Sequence, residues 1–307
     1  MKKFLLIAIL LFSCKKDEKS TPPVTHQPEK VAVRLVLTGD ITTSWSNLKT
    51  VYDSTIYAVS IRTYTGAPFA QGLFDNTDSI KLEVLKDSSY NIYVAAIRKG
   101  SSFGLWWETA ADGYRKYATP MQGKLQNKMR YDSLQTTFID SLSFMKVLKD
   151  TVSRAADIYR YPEVDTYYGM TNYTARDPNN TNVSLELGRR VFAIRYDLHN
   201  LTSGYVLATY GGLIAPDTLK TNDTLPSRIY TANAFTTGDN TTTVSVPITL
   251  TWVKGNGTTE VLGTKTLTTK KNTVTSVSVY LSVVPGQVTP LFTLDNSPWA
   301  GTDDIDF

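Results

Sequence analysis

Nucleophilic or zinc chemistry in this chain would have to rest on three residues: Cys14 is its only cysteine, and His26 and His199 are its only histidines. A Ser/His/Asp or Cys/His arrangement needs an imidazole beside both a nucleophile and an orienting group. His26 lies among Ser, Thr and Pro, and His199 follows an apolar alternating run with no glycine elbow around a nearby serine, so it reads as a strand-end surface histidine. Zinc takes nitrogen and sulfur ligands, which are almost absent, so no metal site is expected. Paired carboxylates offer another chemistry, with Glu108 and Asp112 or Glu163 and Asp165 as local candidates. A glycosidase pair needs a defined separation in space, and scattered loop acids are the commoner outcome. The oxygen-rich runs Asp177 to Asn182 and Asp303 to Asp306 lack the ligand spacing of a calcium loop and read as solvated turns. The expectation is a chain without catalytic residues or cofactor. A net charge of +4 with no basic stripe gives nucleic acid no footprint.

Two aromatic neighbours, Trp106 and Trp107, stand in a segment with Phe103, Tyr114 and Tyr117 and no clear strand period. Flat rings of this kind stack on sugar faces, which makes the pair a candidate carbohydrate site. Large aromatics more often fill a core.

Cys14 carries a different chemistry. It follows Lys2 and Lys3, a nine-residue apolar run from Phe4 to Phe12, and the small residue Ser13. A spanning helix needs about 20 apolar residues, so the run engages a secretion channel without anchoring the mature chain. Leu11-Phe12-Ser13-Cys14 resembles a lipobox, although bulky Phe12 departs from the strict pattern. The expectation is cleavage after residue 13 and lipidation of Cys14, the acyl chains holding the protein on a membrane. The Ser-, Thr- and Pro-rich stretch that follows cannot bury a core and reads as a tether over residues 14–30.

The elements beyond the tether are read from alternation. In Val31-Ala-Val-Arg-Leu-Val-Leu37 the odd positions form one apolar face, and in Ile80-Lys-Leu-Glu-Val84 Lys81 and Glu83 stand opposite Ile80, Leu82 and Val84. Similar runs predict strands at 56–63, 90–98, 141–148, 183–187, 191–198, 242–252, 261–267 and 273–281. Lys254-Gly-Asn-Gly257 and Lys270-Lys-Asn272 read as turns, making 242–281 a meander of hairpins. Residues 103–129 read as an excursion from the first sheet, and Thr151 to Asp157 as a turn of helix. Val31-Ala-Val-Arg-Leu35 and Phe192-Ala-Ile-Arg-Tyr196 share an order of residue types, as two opening strands would. The predicted architecture is all-β, a domain at 31–187 followed by another at 188–307.

Ile56-Tyr-Ala-Val-Ser-Ile61, Gly66-Ala-Pro-Phe-Ala-Gln-Gly-Leu-Phe74, Tyr90-Asn-Ile-Tyr-Val-Ala-Ala96, Asp165-Thr-Tyr-Tyr-Gly169 and Leu187-Gly-Arg-Arg-Val-Phe192, in that order behind a lipoprotein leader, resemble the fimbrillin-like lipoproteins of Bacteroides-type bacteria. The resemblance covers most of the chain from Val31 to Leu281 and lies in layout more than in any one motif. It implies two tandem transthyretin-like (Ig-like) antiparallel β-sandwich domains. It implies a fimbrial subunit, anchor or tip that assembles with other fimbrial subunits by strand addition and meets a host or glycan ligand. The alternative reading is a glycan-binding surface lipoprotein of a polysaccharide uptake system. Lys16-Asp17-Glu18 resembles the signal that moves such lipoproteins to the outer face of the outer membrane. The resemblance also implies O-glycosylation where Asp precedes Ser or Thr and then an apolar residue or Thr. Seven triplets fit, with acceptors Ser54, Ser79, Ser133, Ser141, Thr151, Thr218 and Thr224. Asp-Ser and Asp-Thr also open turns before strands, so both readings stand.

Overall fold

The computed structural model describes residues 28–43, 55–97, 107–117, 123–131, 166–176, 181–211, 216–220, 228–231, 243–281 and 291–298. The chain is all-β, with one helical turn and one 3₁₀ turn beside the strands among the described residues. The earlier strands are β1 (Lys30–Gly39), β2 (Ile56–Thr63), β3 (Pro68–Phe74), β4 (Lys81–Leu85), β5 (Ser89–Ile97), β6 (Trp107–Thr109), β7 (Arg115–Tyr117), β8 (Gly123–Lys124), β9 (Thr166–Thr174) and β10 (Asn182–Arg189). After Arg190 come β11 (Val191–His199), β12 (Tyr205–Tyr210), β13 (Asp217–Leu219), β14 (Arg228–Thr231), β15 (Thr243–Val253), β16 (Thr259–Lys270), β17 (Thr273–Tyr280) and β18 (Leu291–Pro298).

A seven-stranded sheet runs β3-β2-β5-β9-β10-β1-β4. Its two wings share one core, with Val59, Ile61, Ile92 and Val94 on one side and Val31, Val33, Leu35, Leu82, Val84 and Leu185 on the other. The strict alternation of β1 and β4 follows from this: one face meets the core and the other meets water. The opposite face of the β3-β2-β5 wing is not left to solvent. Ile56, Ala58, Leu73, Ala95 and Ile97 are buried there in one cluster with Tyr117, and Leu125 packs against it. Tyr117 belongs to the small β6-β7-β8 sheet, so the excursion expected at 103–129 acts as a third layer.

From Val191 onward the strands form two four-stranded sheets, β14-β11-β17-β18 and β13-β12-β15-β16. Phe192, Ile194 and Val277 from the first meet Val206, Ile248, Leu250 and Trp252 from the second in another core.

Two features depart from the sequence reading. The pairing is not wholly antiparallel: β1 runs parallel to β10, and β11 runs parallel to β17. These are the strands that share the residue order noted above, and they occupy equivalent places. Each lies between a parallel neighbour and a short antiparallel one, β4 beside β1 and β14 beside β11. The expected meander is also interrupted. β15 and β16 form a hairpin through Lys254–Gly257, but β17 leaves β16 and joins β11. The turn at Asn272 causes the crossing: its N–H donates to the Val191 carbonyl at 2.8 Å, and its φ of 58° turns the chain sharply. The helical turn expected at Thr151 to Asp157 and the strand at 141–148 lie outside the described residues.

Candidate functional site

The feature of the first sheet most open to a partner is the second half of β1. β4 pairs with β1 only from Lys30 to Arg34, whereas β10 follows β1 from Arg34 to Gly39. β4 begins late because Asn76 caps a 3₁₀ turn at Thr77–Ser79, its side-chain oxygen accepting from the Asp78 N–H at 2.9 Å. Beyond Arg34, no described strand covers that side of β1.

The direction of the backbone groups follows from the ladder. Arg34 donates its N–H to the Thr181 carbonyl on the β10 side at 2.6 Å. In a parallel pair alternate residues turn both groups toward the same neighbour, so Val36 and Thr38 also face β10. Leu35 and Leu37 therefore present N–H and C=O to the open side. A groove of about 320 Å³ lies here, lined by Arg34, Leu35, Val36, Leu37, Ile41, Tyr57, Thr77 and Asp78. Leu35 and Ile41 are buried in the core below it, and Leu37 and Tyr57 pack against that core. Val36 is 39% exposed. An ion pair between Arg34 Nη2 and Asp78 Oδ1 at 3.0 Å bridges one end. Both side chains are well exposed, so the pair fixes position more than it adds stability.

Three other edges, those of β3, β4 and β16, are closed or guarded. β3 is covered where Gln71 and Arg130 exchange backbone hydrogen bonds of 2.9 and 2.7 Å. On β4 the outward N–H groups of Glu83 and Leu85 donate to the hydroxyls of Tyr131 and Tyr90, at 2.7 and 3.0 Å. β16 carries charges on inward positions, Glu260 opposite Trp252 and Lys265 opposite Ile248, and a bulge interrupts its register with β15. Inward charges and bulges are standard devices against edge pairing. Among the described residues, Leu35 to Leu37 has no such device.

Of the residues singled out by sequence, Glu108 and Asp112 do reach the same small sheet, but each is held by a lysine. Lys116 Nζ donates to Glu108 at 3.0 Å and Lys124 Nζ to Asp112 at 2.6 Å. The Lys124 hydrogen bond holds the Asp112 carboxyl below its usual range, the opposite of what a general acid requires. His199 ends β11, exposed, with its ring stacked on Tyr280. Ser79 is half-buried in the 3₁₀ turn and Thr218 is exposed on β13. The Asp78 carboxylate binds Arg34, and the Asp217 carboxylate accepts from the Tyr210 hydroxyl at 2.7 Å.

Cys14, His26, Ser54, Trp106, Ser133, Ser141, Thr151, Glu163, Asp165, Thr224 and the run Asp303 to Asp306 lie outside the described residues, as does the side chain of Trp107. No group of three or more metal-binding side chains occurs among the described residues. The open edge itself escaped the sequence reading. Its only signal is the Asn76-Thr-Asp-Ser79 turn placed where β4 would otherwise have lengthened.

No protein-family model and no curated protein matches the chain. Solved structures similar to it include a protein from Bacteroides eggerthii assigned to cell adhesion, at 14% identity and a TM-score of 0.45, covering 89% of this chain and 97% of that one. The fimbrial anchor protein Mfa2 of Porphyromonas gingivalis aligns at 12% identity and a TM-score of 0.40, over 89% of this chain and 98% of that one. The tip fimbrial protein Mfa3 of the same organism aligns at 10% identity and a TM-score of 0.38, over 87% of this chain and 99% of that one.

Proposed function

We propose that this protein is a non-enzymatic, lipid-anchored component of surface fimbriae, exposed at the outer membrane through Cys14, with its body divided near Gly188 into two β-sandwich domains. A neighbouring subunit adds an extended segment to β1 beside Leu35 to Leu37. The observation that carries this reading is the unguarded half of β1. It combines backbone groups that no described strand pairs, a groove of mixed polar and apolar lining beneath them and a length that accommodates a short strand, whereas β3, β4 and β16 are each blocked. Added strands gain affinity from main-chain hydrogen bonds and specificity from alternate side chains in pockets.

The test uses Leu37→Pro. Proline removes the outward N–H of Leu37 and leaves the β10 ladder its own donors, because Val36 and Thr38 face that side. In the native host the variant should reach the membrane and fold, yet fail to co-purify with sheared fimbriae. A folded variant that co-purifies as the unaltered protein does would overturn the assignment of this edge.

A further inference from the structure

The second core carries a different kind of surface. β11 and β17 are the two inner strands of their sheet, and their outward positions are in register: Arg195 opposite Ser276, Asp197 opposite Ser278, His199 opposite Tyr280. The inward positions between them, Tyr196, Leu198, Val277 and Val279, belong to the core or pack against it. The six outward side chains are therefore held on a rigid support, which suits precise recognition better than a loop.

The chemistry changes in order along this face. Arg195 Nη2 donates to Ser276 Oγ at 3.1 Å, and Arg195 Nε lies 3.9 Å from Asp197 Oδ2. Arg195 Nε is buried and makes no hydrogen bond among the described residues. The guanidinium has five N–H donors, one of which is used toward Ser276. Asp197 supplies acceptors, and Ser278 supplies both functions. At the far end the His199 and Tyr280 rings stack at 4.4 Å with 9° between their planes. Tyr280 remains 43% exposed, so the outer side of the ring pair is open to solvent.

A ligand matching this face has a flat apolar side for the rings and adjacent groups that both donate and accept hydrogen bonds. It is not anionic, because Asp197, together with Asp295 in register with Ser276 on β18, outnumbers Arg195 on this face. A neutral pyranose meets all three demands: its C–H face packs on an aromatic ring, and its ring hydroxyls donate and accept. An anionic ligand would face Asp197, and a purely apolar one would strand Arg195 and Asp197 without water. We propose that the outward face of β11 and β17 is a binding shelf for a neutral pyranose glycan. This goes beyond the fimbrial reading and does not depend on it, since it concerns the other core.

Affinity electrophoresis of the full chain through gels containing mannan, dextran, xylan or pullulan tests the shelf, with heparin as an anionic comparison. Retardation by at least one neutral polysaccharide is expected, weakened at least about tenfold by Tyr280→Ala and by Asp197→Asn. Circular dichroism confirms that each variant is folded, and Asp197→Asn keeps the test available if Tyr280→Ala does not fold. The proposal is overturned if none of the four neutral gels retards the protein, or if only heparin does. It is equally overturned if retardation survives both folded variants, or is lost with Trp106→Ala and unaffected by changes on the shelf. Co-purification with fimbriae is a separate readout, so either result leaves the role of β1 to be judged independently.

Discussion

The Arg189 guanidinium meets the Tyr167 hydroxyl, with Nε donating at 3.1 Å, in a joint between the two cores where Arg189 is only 5% exposed. Nη1 of the same arginine donates to Asn272 Oδ1 at 3.1 Å, on the turn between β16 and β17. Its backbone N–H donates to Asp40 Oδ2 at 2.9 Å. One residue thus ties β9, the helical turn after β1 and the crossing turn between β16 and β17, at the point where β10 gives way to β11. Replacing Arg189 with Ala leaves the Tyr167 hydroxyl and the Asn272 amide oxygen unmatched and should cost about 1–3 kcal/mol. Tyr167→Phe removes one acceptor and should cost about 1–3 kcal/mol. Urea unfolding of both single variants and of the double variant checks this. The double variant should lose less than the sum, because the two residues share one interaction.

Tyr131 closes the outer edge of β4, and its behaviour should depend on pH. Burial raises its pKa above the ordinary value for tyrosine, and the Glu83 charge adds to the shift. A folded pKa raised above the unfolded one gives stability that is complete below about pH 10 and declines as pH rises through the folded pKa. Tyr131→Phe should cost about 1 kcal/mol near neutrality, by leaving the Glu83 N–H without its acceptor. The gap between the variant and the unaltered protein should narrow in alkaline solution. Thermal unfolding of the pair across pH measures it, and a constant gap would count against the latch.

Gly169 lies where β9 approaches β10 so closely that an added Cβ would stand 2.0 Å from the Glu186 carbonyl oxygen. Backbone cannot yield as a side-chain tip can. Gly169→Ala should therefore destabilise by about 1–3 kcal/mol in urea unfolding, whereas Gly66→Ala, with nothing within 4 Å of the added carbon, pays only for its φ of +90°.

The glycosylation motif should be used unevenly. Thr218 is exposed on β13, while Ser79 is half-buried in the turn that shortens β4. Intact-mass measurement on protein from the native host should show an increment lost in Thr218→Ala and unchanged in Ser79→Ala. A mass equal to polypeptide plus lipid would reject glycosylation altogether.

Strands with one wet face were readable in the sequence. β1, β4 and β10 alternate cleanly, and their limits fall within a few residues of those expected. β3 was missed because both its faces are covered: Phe74 enters the shared core, and Leu73 enters the cluster beneath the third layer. β9, with Tyr167, Tyr168 and Tyr173 among polar residues, shows no apolar period to read. Parallel pairing was out of reach for a different reason. Alternation reports which face is buried and says nothing of a neighbour's direction, so the equivalence of β1 and β11 surfaced only as a faint likeness in residue order. The open edge is less legible still, since it arises from where β4 stops and not from the composition of β1.

Amide hydrogen exchange at Leu35 and Leu37 tests the central claim most directly. In the isolated protein these two amides should exchange far faster than those of Val36 and Thr38, which face β10. In protein recovered within assembled fimbriae they should become protected to a similar degree. Protection already complete in the isolated protein, or fast exchange persisting in the assembly, would contradict strand addition at β1.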